Sequence, residues 1–168
     1  ACVENFYMVR KMIRRDMFGN SLIYQIRHKN KIYKIKLMKN FILENSEKQC
    51  FVGANAKENW KLLEESNPTD ILFHLHSFPS CYVILKNDNN EIPEMDIIKQ
   101  TAIICRQNTK YKNLKDIKVD YTFCKNVEKG EVVGELVYKS NKKVLLFITF
   151  KSAEQKFFNF ISSNIIFI

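Results

Sequence analysis

Apolar and basic residues alternate through residues 22–37, LIYQIRHKNKIYKIKL, with the polar group HKNK at the centre. A period of two sends successive side chains to opposite faces of an extended strand. The run therefore predicts a two-stranded ribbon, apolar on one face and cationic on the other. The preceding MVRKMIRRDMF, residues 8–18, has the wider apolar spacing of a short amphipathic helix.

Beyond residue 40 the pattern becomes more regular. NFILEN and QCFVGAN read as paired strands across the polar turn SEK, and Gly53 permits a tight change of direction. Asn55 is placed to cap a helix in AKENWKLLEES by accepting from its free N–H groups, with Trp60, Leu62 and Leu63 on the apolar side. ILFHLHS and CYVILK are strand-like runs separated by FPS, and NDNNEIPE is a polar loop. Pro93 stands where a first-turn proline belongs, opening a second helix in which Met95, Ile98, Ala102 and Cys105 recur at helical spacing. DIKVDYTFC, GELVYKS and KKVLLFITF close the pattern as three strands.

The predicted order, ββαββαβββ, does not alternate strand and helix strictly. A doubly wound parallel sheet is therefore disfavoured. The expected class is α+β, a mostly antiparallel sheet with two main helices packed on one side of it. The domain is expected over residues 41–150, after a basic N-terminal extension (1–40) and before a tail (151–168).

Composition changes this picture in two places. With 168 residues, 46% of them apolar and 12% aromatic, the chain can bury one real core, and three prolines and four glycines leave little room for a disordered linker. The net charge of +9 attracts polyanions, and it is concentrated: residues 1–40 hold ten basic side chains against Glu4 and Asp16, or +8 of the total. The five cysteines, Cys2, Cys50, Cys81, Cys105 and Cys124, are an odd number with no C-x-x-C pair. That argues against a disulfide framework or a zinc knuckle and for buried thiols in a reducing, cytoplasmic setting. Ala1 in first place, with no charged-then-apolar leader behind it, points to a processed or truncated start. FFNFISSNIIFI, 12 residues, is short of the ~20 a membrane-spanning helix needs.

Candidate chemistry centres on His74 and His76, which would share one face of a strand. Zinc needs three or four ligands, and nearby there is only Asp70, with His28 distant. A histidine hydrogen-bonded under the sheet rim, or a nucleic-acid contact, accounts for them as well. A triad of Ser80, a histidine and Asp70 lacks the glycines of a nucleophile elbow, and VGANAKEN has too few glycines for a phosphate loop. Glu64 with Glu65, and Glu128 with Glu131, read as solvated faces. These observations point to no enzyme, no metal and no cofactor. Lys110, Tyr111, Lys112, Lys115, Lys118, Tyr121, Lys125 and Lys129 interleave cations with rings. Such a pattern supplies phosphate neutralisation and base stacking, but ordinary strands also alternate a buried tyrosine with an exposed lysine.

Three motifs then fall in order over about residues 41–148. FVGANAKENWKLL resembles the V-G-x-N-x-x-x-N element of the NFACT family's RNA-binding domain. DILFHLHSFPSCYVILK resembles its D-I-W-F-H followed by P-x-S-H-V, and VDYTFCKNVEKGEVVGELVY its V-x-Y-T, N-V-x-K and G-x-V ending. Gly53, Asn55, Asn59, Asp70, Phe73, His74, Ser80, Tyr121, Thr122, Asn126, Lys129 and Gly134 match motif positions. Leu72 replaces the usual tryptophan, Tyr82 the histidine after Ser-x, and Thr109-Lys110 the usual Ser-Lys.

The resemblance implies a non-catalytic RNA-binding module acting on tRNA or ribosomal RNA, linked to translation and ribosome-associated quality control. The RNA-contacting residues it suggests, together with the cation pattern, are Asn55, Asn59, His74, Ser80, Tyr82, Lys110, Tyr121, Lys125, Asn126 and Lys129. In this reading His74 is the motif histidine, His76 is incidental, and Tyr82 stacks on a base. The rivals are a module that docks on the ribosome or another protein, a DNA-binding module, and a metallohydrolase built on His74, His76 and Asp70.

Overall fold

The computed structural model describes residues 8–12, 23–28, 31–36 and 39–151. The chain divides into two compact units, residues 1–39 and 40–168.

In the first unit, β1 (Met8–Met12), β2 (Ile23–His28) and β3 (Lys31–Lys36) form an antiparallel sheet in the order β1-β2-β3. The ribbon expected over residues 22–37 is β2 with β3, in a register that sets His28 opposite Lys31. The helix expected over residues 8–18 is corrected: residues 8–12 form a strand, with Arg10 opposite Gln25. A short segment gains little as an isolated helix, whereas an existing ribbon offers its backbone a full hydrogen-bonding edge. The rest of that expected helix lies outside the described residues.

The second unit is built on a six-stranded sheet in the order β11-β8-β6-β7-β5-β4. Its strands are β4 (Lys39–Ile42), β5 (Gln49–Val52), β6 (Ile71–Leu75), β7 (Val83–Leu85), β8 (Asp116–Phe123) and β11 (Leu145–Phe150). Helix α1 (Ala56–Glu64) follows β5, and α2 (Met95–Gln107) follows β7. β9 (Val127–Lys129) and β10 (Leu136–Tyr138) form a separate hairpin. The class is α+β.

Register assigns the faces. Ile71, Phe73 and Leu75 of β6 line up with Val83 and Leu85 of β7 and Val119 and Tyr121 of β8, and all are buried in one cluster with Ile98, Ala102 and Cys105 of α2. Each fully buried Ile, Leu or Val here contributes on the order of 2 kcal/mol. Leu72 and Ile84 point the other way and are also buried, so the second face is covered too. Asn59 of α1 bonds to Tyr82 N, and Tyr82 Oη bonds to Gly134 O, which brings α1 and the hairpin to that side. The two helices therefore do not share one face as the pattern suggested.

Two details of α2 differ from the expectation. Pro93 precedes the N-cap, Glu94, rather than occupying the first turn, and Met95 is 60% exposed while Ile98, Ala102 and Cys105 are buried. β9 was not foreseen, because three residues, VEK, are too few to show alternation.

Candidate nucleic-acid interface

The first motif folds into a cap and a staple. Asn55 is the N-cap of α1: its Oδ1 accepts from Glu58 N at 3.0 Å, and Glu58 reaches back to accept from Ala54 N at 2.8 Å. Asn59, one turn on, is buried. Its Oδ1 accepts from Tyr82 N at 3.0 Å and its Nδ2 donates to Ser80 O at 3.4 Å, tying α1 to the lead-in of β7. Gly53 makes room for this, since a Cβ there would meet Asn59 Oδ1 at 2.2 Å. Gly134, at φ +90°, lies so close to α1 that its Cβ would sit 2.6 Å from that of Ala56.

The other motif polar groups are similarly engaged. Asp70 is buried and accepts from Asn67 N (2.8 Å), Asn87 N (3.0 Å) and Lys86 Nζ (2.7 Å). Ser80 Oγ accepts from Leu75 N at 3.0 Å and donates to Cys81 O at 3.0 Å, closing the β6–β7 connection. Thr122 Oγ1 donates to Lys143 O at 2.8 Å and accepts from Asn126 Nδ2 at 3.0 Å. Asn59, Asn126 and Ser80, expected to touch RNA, spend their hydrogen bonds inside the fold.

The expected stacking rings are corrected. Tyr82 is fully buried, with its hydroxyl donating to Gly134 O at 2.9 Å, and burial pushes its pKa up to about 12. Tyr121 is buried, stacks on Phe73 at 5.5 Å, and its pKa is also raised by burial. Neither ring has a face for a base. His74 packs edge-on against Tyr82 at 5.7 Å, and burial lowers its pKa, with weaker opposing effects from the Leu75 backbone and Asp120. The exposed histidine is His76, whose Nδ1 lies 2.9 Å from Asp120 Oδ1. The two imidazoles thus take different partners.

The expected cations do not share one patch. Lys110 lies in the turn before β8 and Lys125 beyond its far end, with the eight residues of the strand between them. Lys125 Nζ donates to Asn90 Oδ1 at 2.7 Å and lies 4.9 Å from the Phe123 ring centre. Lys129 pairs with Glu64 and lies over the Trp60 ring.

A different cluster forms at the start of β8. Lys110 Nζ sits 5.1 Å from the Tyr111 ring centre, and Tyr111 meets Phe78 at 4.7 Å. Lys151 N donates to Lys115 O at 3.1 Å, and His76 N donates to Lys118 O at 2.9 Å. These contacts draw Lys110, Lys115, Lys118 and Lys151, all exposed, to one end of the sheet beside His76 and the 37%-exposed ring of Phe78. Lys112 belongs to the same turn. Sequence reading put Lys110 in a dispersed set, set His76 aside as incidental and passed over Phe78 and Lys151, because only the pairing of β6, β8 and β11 brings them to one end of the sheet. The signal for the turn itself was present in TKYKNLK, four basic or aromatic residues in seven.

The described residues contain no group of three or more His, Cys, Asp or Glu side chains able to hold a metal ion, and no helix among them is long and apolar enough to cross a membrane. Comparison with known proteins agrees with the motif reading. Residues 37–140 match the family described as NFACT protein RNA binding domain. Over 112 residues the chain is 29% identical to the Coiled-coil domain-containing protein 25 homolog of Dictyostelium discoideum, covering 62% of this chain and 53% of that protein. The chain thus spans about half the length of that curated relative. The solved C-terminal part of the fibronectin/fibrinogen-binding protein from Streptococcus suis has a similar fold, with a TM-score of 0.64 at 19% identity over 82% of this chain and 53% of that one. With more than half of its length matched, the chain belongs to the NFACT RNA-binding domain family and carries that family's nucleic-acid-binding module.

Proposed function

We propose that this is a non-catalytic module that binds tRNA or ribosomal RNA, in a cytoplasmic role linked to translation and ribosome-associated quality control. The observation that carries this reading is the group of exposed lysines at the start of β8: Lys110 lies over the Tyr111 ring, which meets Phe78, Lys115 and Lys151 are joined through their backbones at the same end of the sheet, and Lys118 lies on its opposite face. Lysines spaced along a turn neutralise successive phosphates, and a ring at their edge offers a face to an unstacked base. His76, whose Nδ1 lies 2.9 Å from Asp120 Oδ1, adds an exposed polar ring at the rim. The basic first unit contributes further nonspecific attraction through its charge.

A filter-binding titration of the full chain against bulk tRNA tests this reading. Log affinity is expected to fall steeply with log salt, and duplex DNA is expected to bind more weakly. Affinity that does not depend on salt, or a preference for duplex DNA, overturns it. One observation favours docking on a ribosome or another protein instead: Leu146, Ile148 and Phe150 lie on one side of β11 and are 41–50% exposed. Cosedimentation with ribosomes that persists when naked tRNA binding is absent would select that reading.

A further inference from the structure

The largest fully buried side chain in the described part of the molecule is not a hydrophobe but Arg106, in the last turn of α2. Its guanidinium is held by backbone carbonyls. Nε and Nη2 donate to Lys112 O at 3.2 and 3.0 Å, Nη2 also donates to Leu114 O, and Nη1 donates to Thr149 O at 2.9 Å and to Lys115 O at 3.5 Å. The segment from Lys112 to Lys115 therefore curls around a cation. Thr109 fixes the start of the turn, its Oγ1 donating to Arg106 O at 2.9 Å and accepting from Tyr111 N at 3.3 Å.

We propose that Arg106 is a positioning residue for RNA binding: it touches no ligand, but it templates the turn that presents Lys110 and Lys115 to phosphate. The inference rests on the RNA-binding reading given above. Three carbonyl oxygens drawn inward leave Lys110 and Lys115 facing solvent. In a trans peptide unit the N–H points opposite to the C=O, so the N–H groups of Asn113 and Lys115 face away from the guanidinium, with the positive ends of the peptide dipoles outward. The buried charge beneath adds to the same positive field. A guanidinium suits this role because its planar fork of five donors can span carbonyls from two chain segments at once, whereas an ammonium is a point with three. Pre-ordering the turn also removes part of the ordering penalty that a mobile lysine loop would meet on binding.

The experiment compares the full chain with Arg106→Lys, with Lys110→Ala/Lys115→Ala and with all three changes together. Each is titrated with bulk tRNA at several salt concentrations, and near-ultraviolet circular dichroism verifies that the sheet is folded. The lysine pair change is expected to lower affinity roughly thirtyfold at 0.1 M salt and to flatten the salt slope by about two. Arg106→Lys is expected to lower affinity about tenfold and flatten the slope by about one, with little further loss when added to the lysine changes. A folded Arg106→Lys protein with unaltered tRNA affinity and slope, or one whose loss adds fully to that of the lysine pair, overturns the proposal while leaving the RNA-binding reading standing. A lysine pair variant that binds as tightly as the parent removes the turn as the site altogether. Should Arg106→Lys not fold, Thr109→Ala decides: it loosens the turn without altering a cation, and it is expected to weaken binding about threefold, with an unchanged affinity overturning the proposal.

Discussion

On the α1 side of the second unit, Gly53, Asn55, Asn59, Tyr82 and Gly134 bind one another; at the turn between α2 and β8, the carbonyls of Lys112, Leu114 and Lys115 bind inward and the Lys110 and Lys115 side chains face out. The first region carries the most specific sequence motif, and its Asn59 and Tyr82 are buried in the fold. The second has only a short basic and aromatic run for a signature and presents the exposed cations. The difference teaches that a motif of glycine, asparagine and buried tyrosine can mark how a fold is assembled, and the ligand surface proposed above is at the other region.

The sharpest attempt to break this contrast is Gly53→Ala. Its Cβ would displace Asn59 Oδ1 and with it the bond to Tyr82 N, so a loss of about 3 kcal/mol is expected in urea unfolding. A loss under about 0.5 kcal/mol would mean that the α1 staple is not structural. Next comes the opposite signature at the other region, Lys110→Ala with Lys115→Ala. Stability should stay within about 0.5 kcal/mol of the parent while tRNA affinity falls by about 2 kcal/mol at 0.1 M salt. An unfolding midpoint that shifts as far as that of Gly53→Ala would erase the distinction between the regions.

Tyr82→Phe is a finer probe. It deletes the hydroxyl bond to Gly134 O, lowering stability by about 1 kcal/mol, and it should leave tRNA affinity unchanged; a weakened complex would restore Tyr82 as an RNA contact. The same residue sets an alkaline limit. Its pKa is raised from 10.0 to about 12, so its contribution is complete below pH 10 and is lost as pH rises through about 12. Tyr82→Phe should therefore flatten the stability profile across that window. The smallest effect is at the acid side. Burial lowers the pKa of His74 below 6.5, so its stabilising contribution is present above pH 6.5 and is lost as pH falls further. His74→Phe should reduce the drop in urea midpoint between pH 7 and pH 5, and an undiminished drop would place the acid sensitivity on another group.

Much of this was readable along the chain. Asn55 ahead of AKENWKLLEES announced its cap, because an N-cap bond is made within four residues. The alternation in residues 22–37 and in DIKVDYTF announced β2, β3 and β8 for the same local reason. The motif order pointed to the family. Local spacing did not disclose that Tyr82 and Tyr121 are buried or that Asn59 is a staple. Each depends on contacts between residues far apart in sequence: Asn59 with Tyr82, and Phe73 with Tyr121.

The amino-acid sequence by itself determined most of the elements, the charge and the family, since these follow from neighbours within a few residues of one another, while β1 and β9 form only on a partner strand. Only the tertiary structure decided which polar side chains are left over for a ligand. Pairing β8 with β6 and β11 brings Lys115, Lys118, Lys151 and His76 to one end of the sheet, and burying Arg106 there turns the intervening carbonyls inward.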